Sequence, residues 1–243
     1  MAEHTDQNLL HQVIYSVFVR NHTKEGTFRA LEGDLDRLKG LGADIIWLMP
    51  IHPIGSEGRK GTLGSPYAIQ DYRGINPEYG TREDFIHLVD AIHARGMKCI
   101  IDVVYNHTSP DSVLAHTHPE YFLRDAEGRP TRKVADWWDV VDLDYRNRDL
   151  WNYQIDTLKQ WAAIVDGFRC DVAYQVPQDF WADVFSKFRS EYSRRLYFLA
   201  EGEEPWLHEA GFDATYAWRL HHLLNDIAQG KAGADSLVRY VEW

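Results

Sequence analysis

Short runs of consecutive apolar residues alternate along the chain with stretches in which apolar positions recur every three or four residues. The runs lie at 13–19, 45–49, 99–104, 167–173 and 196–200, with a weaker sixth at 214–218. Between them, Phe28, Leu31, Leu35 and Leu38 share one helical face closed by Gly42, and Phe85, Leu88, Val89 and Ile92 share another that ends at Gly96. Thr81, with Asp84 three residues on, is placed to cap the second of these helices. Trp151, Ile155, Leu158, Ala162 and Val165 predict a third helix, and Phe180, Val184 and Phe188 a fourth. A glycine-rich loop is expected over 51–79, and 106–144 shows no clear period. An aperiodic connection of that length is usually a functional excursion or a small subdomain. Residues 237–243 read as the start of a helix.

The strand candidates are continuously apolar, not alternating. Strands covered on both faces, as in parallel sheets, look like this. Alternation of such strands with helices leaves a doubly wound sheet or a β/α barrel. No GxGxxG follows an early strand and no Walker P-loop occurs, which favours the barrel. The expected fold is therefore α/β, of the (β/α)8 TIM-barrel type but incomplete, with about six βα units. Residues 1–107 would carry strands 1–3, 108–145 a short insertion, and 146–243 strands 4–6.

Composition narrows the function classes. The 243 residues are 44% apolar and 13% aromatic with nine Trp, a globular and not a disordered composition. A net charge of −11 argues against nucleic acid and anionic membrane surfaces as partners. No apolar run is long enough to span a bilayer. The polar start, residues 1–6, lacks the layout of a signal peptide, so a cytoplasmic location is expected. Cys99 and Cys170 lie in apolar runs without a CxxC and read as buried free thiols.

Three runs carry an acid at or near the C-terminal end: Asp102, Asp171 and Glu201. In a β/α barrel those ends line the mouth where active sites are built. A carboxylate in an apolar strand is costly unless paired. Arg169, two residues before Asp171, points to the same side of its strand and would pair with it. One such acid is explained by a structural ion pair; three at equivalent positions call for chemistry. Facing carboxylates suit glycoside cleavage, one as nucleophile or base and the other protonating the leaving oxygen. Tyr67, Trp137 and Trp138, in the loops, are candidates to stack on sugar faces.

With these residues in view, the chain resembles glycoside hydrolase family 13, the α-amylase family. Ile101-Asp102-Val103-Val104-Tyr105-Asn106-His107 resembles the family's first motif, Gly167-Phe168-Arg169-Cys170-Asp171-Val172-Ala173 its second, and Phe198-Leu199-Ala200-Glu201 its third. Gly64-Ser65-Pro66-Tyr67-Ala68-Ile69-Gln70-Asp71-Tyr72 resembles the segment bearing a sugar-stacking tyrosine, and Val140-Val141-Asp142-Leu143-Asp144 the motif near the end of the inserted domain B. The resemblance implies Asp171 as nucleophile and Glu201 as general acid/base. It implies Arg169 to position Asp171 and keep it charged, His107 to hydrogen-bond a sugar hydroxyl, Tyr67 to stack beneath the sugar, and Asp102 as a supporting residue. The implied substrates are α-1,4-glucans such as starch and maltooligosaccharides, cleaved with retention, with no cofactor needed for the chemistry. Transglycosylation or isomerisation uses the same motifs, and a carbohydrate-binding remnant is a further alternative.

Two features depart from the family pattern. Its third acid sits in an Asn-His-Asp motif, which this sequence lacks; Asn21-His22 and Asn106-His107 are each followed by Thr. The sequence is thus expected to be part of a longer enzyme, with low or no activity by itself. The family's structural calcium is the second. Asn106 matches one ligand position, but the Lys-His that follows the second motif is Tyr174-Gln175 here, and a histidine main-chain carbonyl is the ligand. Asp111, Asp136 and Asp139 are the available acids in the insertion.

Overall fold

The computed structural model describes residues 5–192 and 194–241. Six parallel strands form one curled, open sheet in the order β1-β2-β3-β6-β7-β8. They are β1 (Ile14–Val17), β2 (Ile45–Leu48), β3 (Lys98–Val103), β6 (Gly167–Cys170), β7 (Tyr197–Ala200) and β8 (Ala214–Thr215). The strands β4 (His107–Thr108) and β5 (Val141–Asp142) pair antiparallel in a separate two-stranded ribbon, with His107 opposite Asp142. This ribbon stands at the two ends of the aperiodic segment. Between its strands lies the short helix α5 (Val113–Thr117), whose N-terminal amide at Ala115 donates to Ser112 Oγ at 3.0 Å.

Each sheet strand sends alternate residues to opposite faces. Ile46, Leu48, Cys99, Ile101, Phe168, Cys170, Phe198 and Ala200 face the helices and join the large outer core. Ile45, Ile100, Tyr197 and Leu199 face inward and form a smaller core against Leu9, Ile14, Trp47, Ala214 and Tyr216. This double coverage is why the strands read as continuous apolar runs. Both cysteines are buried and free. Gly167 has no room for a side chain: a Cβ there would lie 2.0 Å from the Tyr197 carbonyl oxygen.

The other helices are α1 (Val19–His22), α2 (Phe28–Glu32), α3 (Leu35–Gly40), α4 (Arg82–Ala94), α6 (Arg148–Ala162), α7 (Gln178–Glu191) and α8 (Trp206–Ala210), which bury side chains in the outer core, and α9 (Trp218–Ala228) and α10 (Asp235–Val241), which bury none. The capping box expected at α4 is present, with Thr81 and Asp84 exchanging main-chain and side-chain hydrogen bonds, and each of Phe85, Leu88, Val89 and Ile92 is buried. Burial of that face, at roughly 1.5–3 kcal/mol per large side chain, holds α4 to the sheet.

The structure corrects two expectations. The single helix expected from Phe28 to Leu38 is two, α2 and α3. It breaks at Gly33-Asp34, where Asp34 turns its carboxylate to His22 at 2.7 Å and Arg37 at 2.6 Å. Leu31 and Leu35 stay buried on either side, so the apolar period survives the break. The weak sixth run is a strand only at Ala214–Thr215; α9 begins at Trp218. The expected terminal helix is α10, while Glu242 and Trp243, like residues 1–4, lie outside the described residues. Among the described residues no helix is long and apolar enough to cross a membrane.

Candidate active site

Strand register assembles the site. Asp102 on β3 lies directly opposite Arg169 on β6. Both project inward, as do Asp171, two residues beyond Arg169, and Glu201, one residue past the end of β7. Arg169 is the hub. Its Nη1 donates to Asp102 Oδ1 and Oδ2 at 2.9 and 3.0 Å and to Asp171 Oδ1 at 2.8 Å. Its Nη2 lies 2.8 Å from Glu201 Oε2, and its Nε donates to the Tyr216 hydroxyl at 3.1 Å. The guanidinium also lies over the rings of Trp47 and Tyr216, 4.9 and 5.5 Å from their centroids. One guanidinium fork thus gathers three carboxylates, a geometry that a lysine's point charge could not reproduce.

Exposure grades the three acids. The Asp102 side chain is fully buried, that of Asp171 is 9% exposed and that of Glu201 21%. Burial pushes Asp102 up to about 6, with Arg169 pulling against it. Burial, and next the charge of Asp102, raise Asp171 well above the usual carboxylate range, again opposed by Arg169. Asp102 and Asp171 share one cation, and the charge of Asp102 opposes ionisation of Asp171. Asp102 gains two further donors, the Trp47 indole N–H at 3.2 Å and the Tyr67 hydroxyl at 3.3 Å.

The main chain turns sharply after Asp171. Val172 has φ 36° and is the one non-glycine with positive φ among the described residues. A β-branched residue adopts this conformation only at a cost of order 1–3 kcal/mol. The turn aims its N–H at Glu201 Oε2, 2.8 Å away. Strain therefore sits between Asp171 and Glu201, and the N–H it presents holds the Glu201 carboxylate.

These residues open into a cleft of about 350 Å³, lined also by Tyr67, His107, Trp137, Lys60, Ser65, Asp139 and Val140. His107 packs its ring edge-on to Trp137, with centroids 5.4 Å apart. Burial lowers its pKa to about 4, against the pull of Asp139, so it is a neutral imidazole at pH 7. Asn106 Nδ2 donates to His107 Nδ1 at 3.1 Å, which makes that nitrogen an acceptor. A second cleft, lined by Phe185, Phe188, Tyr192 and Leu196, lies toward the opposite ends of the strands and contains none of the three acids.

The structure brings Asp102, Arg169, Asp171, Glu201, Tyr67 and His107 together, with Asn106 directly behind His107. It does not bring in Trp138, which is 54% exposed, lies outside the cleft and carries Lys60 Nζ 4.5 Å above its ring. Nor do Asp111, Asp136 and Asp139, the available acids of the insertion, gather near Asn106. Asp111 accepts from Ser56, Asp136 is exposed, and Asp139 is buried against Lys60 Nζ at 2.9 Å. Sequence reasoning missed Trp47, Tyr216 and Lys60. Trp47 alone carried a signal, since an indole in a short apolar strand needs a partner for its N–H.

A family model for the alpha-amylase catalytic domain matches residues 12–210, and the chain belongs to that family. The alpha-amylase MalA of Haloarcula japonica is 32% identical over 251 residues, an alignment covering 95% of this chain and 35% of that protein. An alpha-1,4-glucan:maltose-1-phosphate maltosyltransferase of Myxococcus xanthus is 30% identical over 256 residues, covering 88% of this chain and 38% of that protein. The crystal structure of an alpha-amylase from Lactobacillus plantarum superposes with a TM-score of 0.91 at 49% identity, covering 95% of this chain and 58% of that one. The chain thus spans little more than a third of the length of these two curated relatives, and its six-stranded sheet is an incomplete (β/α)8 barrel.

Proposed function

We propose that this chain holds the bond-cleaving half of a retaining glycosidase acting on α-1,4-glucans. The observation that carries the reading is the Arg169 fork. It holds Asp171 and Glu201 on adjacent nitrogens of one guanidinium, at the barrel mouth. Retaining enzymes need their two carboxyls about 5–5.5 Å apart, whereas inverting ones leave room for a water between them.

In this mechanism a glucosyl unit sits in the cleft with its ring against Tyr67 and its hydroxyls within reach of His107. Asp171 attacks the anomeric carbon, and the bond to the glycosidic oxygen breaks. Glu201 gives its proton to that oxygen, and a β-glycosyl ester to Asp171 remains. A water then passes its proton to Glu201 and attacks the same carbon from the opposite side, which frees Asp171 and restores the α configuration. Asp171 must be ionised to attack, and Arg169 supplies the pull against burial. Asp102 sets the position of Arg169 without reaching the sugar.

A sugar hydroxyl can replace water in the second step. Similarity to a maltosyltransferase as well as to amylases keeps transfer as the second reading.

The chain has no Asn-His-Asp to contribute a third acid. The 243-residue chain is therefore expected to bind maltooligosaccharides weakly and to hydrolyse them very slowly. Titration calorimetry with maltotetraose and a reducing-sugar assay test this. Rapid hydrolysis would contradict the need for the third acid, and an absence of binding would contradict the glucan assignment.

A further inference from the structure

The position expected for calcium is built around Asn106, and a lysine reaches it. Lys133 Nζ donates to Asn106 Oδ1 at 3.1 Å and to the Gln175 carbonyl oxygen at 3.4 Å, and lies 3.8 Å from Asp142 Oδ2. These partners are an amide oxygen, a main-chain carbonyl and a carboxylate, the oxygen types that a calcium ion takes. They come from three separate pieces of chain: the end of β3, the turn after β6, and β5 of the ribbon. The Asp142 side chain is 1% exposed. Its Oδ2 also accepts from the Lys133 main-chain N–H at 3.0 Å, and its Oδ1 from Asn106 Nδ2 at 3.5 Å.

This set does not fit a divalent ion. Calcium takes six to eight oxygens, usually with several carboxylates among them; here one carboxylate is at hand. Among the described residues no group of three or more His, Cys, Asp or Glu is arranged to hold a metal. An ammonium already satisfies these oxygens, and a second cation at the same point would meet its repulsion.

We propose that the ε-ammonium of Lys133 takes the structural place of calcium, so that the ribbon is fastened to the barrel without a metal. The clamp bears on the cleft, because the same Asn106 side chain holds His107 Nδ1. This inference concerns the fold and stands whether or not the glycosidase reading does.

The test is thermal unfolding of the 243-residue chain in excess EDTA and in millimolar calcium chloride, with calorimetry of calcium binding alongside. The wild-type midpoint is expected to be the same in both, with no calcium binding detected. Lys133→Met keeps the stem and removes the charge. Its midpoint in EDTA is expected to fall by several degrees and to stay lowered in calcium, whereas Lys133→Arg stays close to wild type. A wild-type midpoint that rises with calcium overturns the proposal. So does a Lys133→Met midpoint equal to wild type, or one that calcium restores to the wild-type value. Should Lys133→Met not fold, the wild-type measurement and Lys133→Arg decide: an Arg variant that unfolds as readily also overturns it.

Discussion

Asp171→Asn is expected to reduce turnover of an activated α-maltosyl fluoride to the background rate, a loss on the order of 10⁴-fold or more where the assay allows it. A good leaving group lessens the need for the general acid, so this substrate reports more directly on the nucleophile. Removing a covalent nucleophile has effects of this size in other enzymes. Asparagine keeps the shape of the side chain and an oxygen for Arg169 Nη1, now 2.8 Å from Asp171 Oδ1. The fold should hold, and an unchanged urea midpoint would separate lost chemistry from lost structure. Near-wild-type turnover in this variant would remove Asp171 from the role.

Arg169→Met carries the largest expected effect on stability. It leaves Asp102, Asp171 and Glu201 facing one another without their shared cation, and the first two are buried. Breaking a buried pair by deleting one partner typically costs about 3–5 kcal/mol. The pH dependence has a definite sign. Asp102 and Asp171 are already raised by burial, and loss of Arg169 raises them further. An acid whose folded pKa exceeds its unfolded one stabilises the fold below the unfolded value, and that stability is lost as pH rises through the folded value. The deficit of Arg169→Met should therefore be larger at pH 7 than at pH 4, read as the gap between urea midpoints. A gap that is constant with pH, or that widens in acid, would show that the guanidinium is not what allows these acids to ionise.

Much of the architecture could be read from the chain because both faces of the sheet are covered. Continuous runs such as 45–49 and 99–104 follow directly from Ile45 and Ile100 facing in while Ile46 and Ile101 face out. The acids stood out for the same reason, since Asp102 breaks an otherwise apolar strand. What escaped was set by neighbours that no local pattern encodes. Asp34 breaks its helix for the sake of His22, a partner from another element. Tyr216 reaches Arg169 from the residue just past a two-residue strand, which is too short to give a period. Lys60 and Lys133 belong to loops, where the spacing of apolar residues carries no information. The left-handed turn at Val172 runs against its residue type, and only the surrounding contacts hold it.

The central claim is that Asp171 becomes covalently bonded to sugar. Mass spectrometry of the chain after incubation with a fluorinated, activated α-maltosyl fluoride, followed by peptide mapping, tests it most directly. One maltosyl adduct per chain, on Asp171 and absent from Asp171→Asn, is the predicted result. An adduct on another residue, or an intact chain after prolonged exposure, would contradict the account.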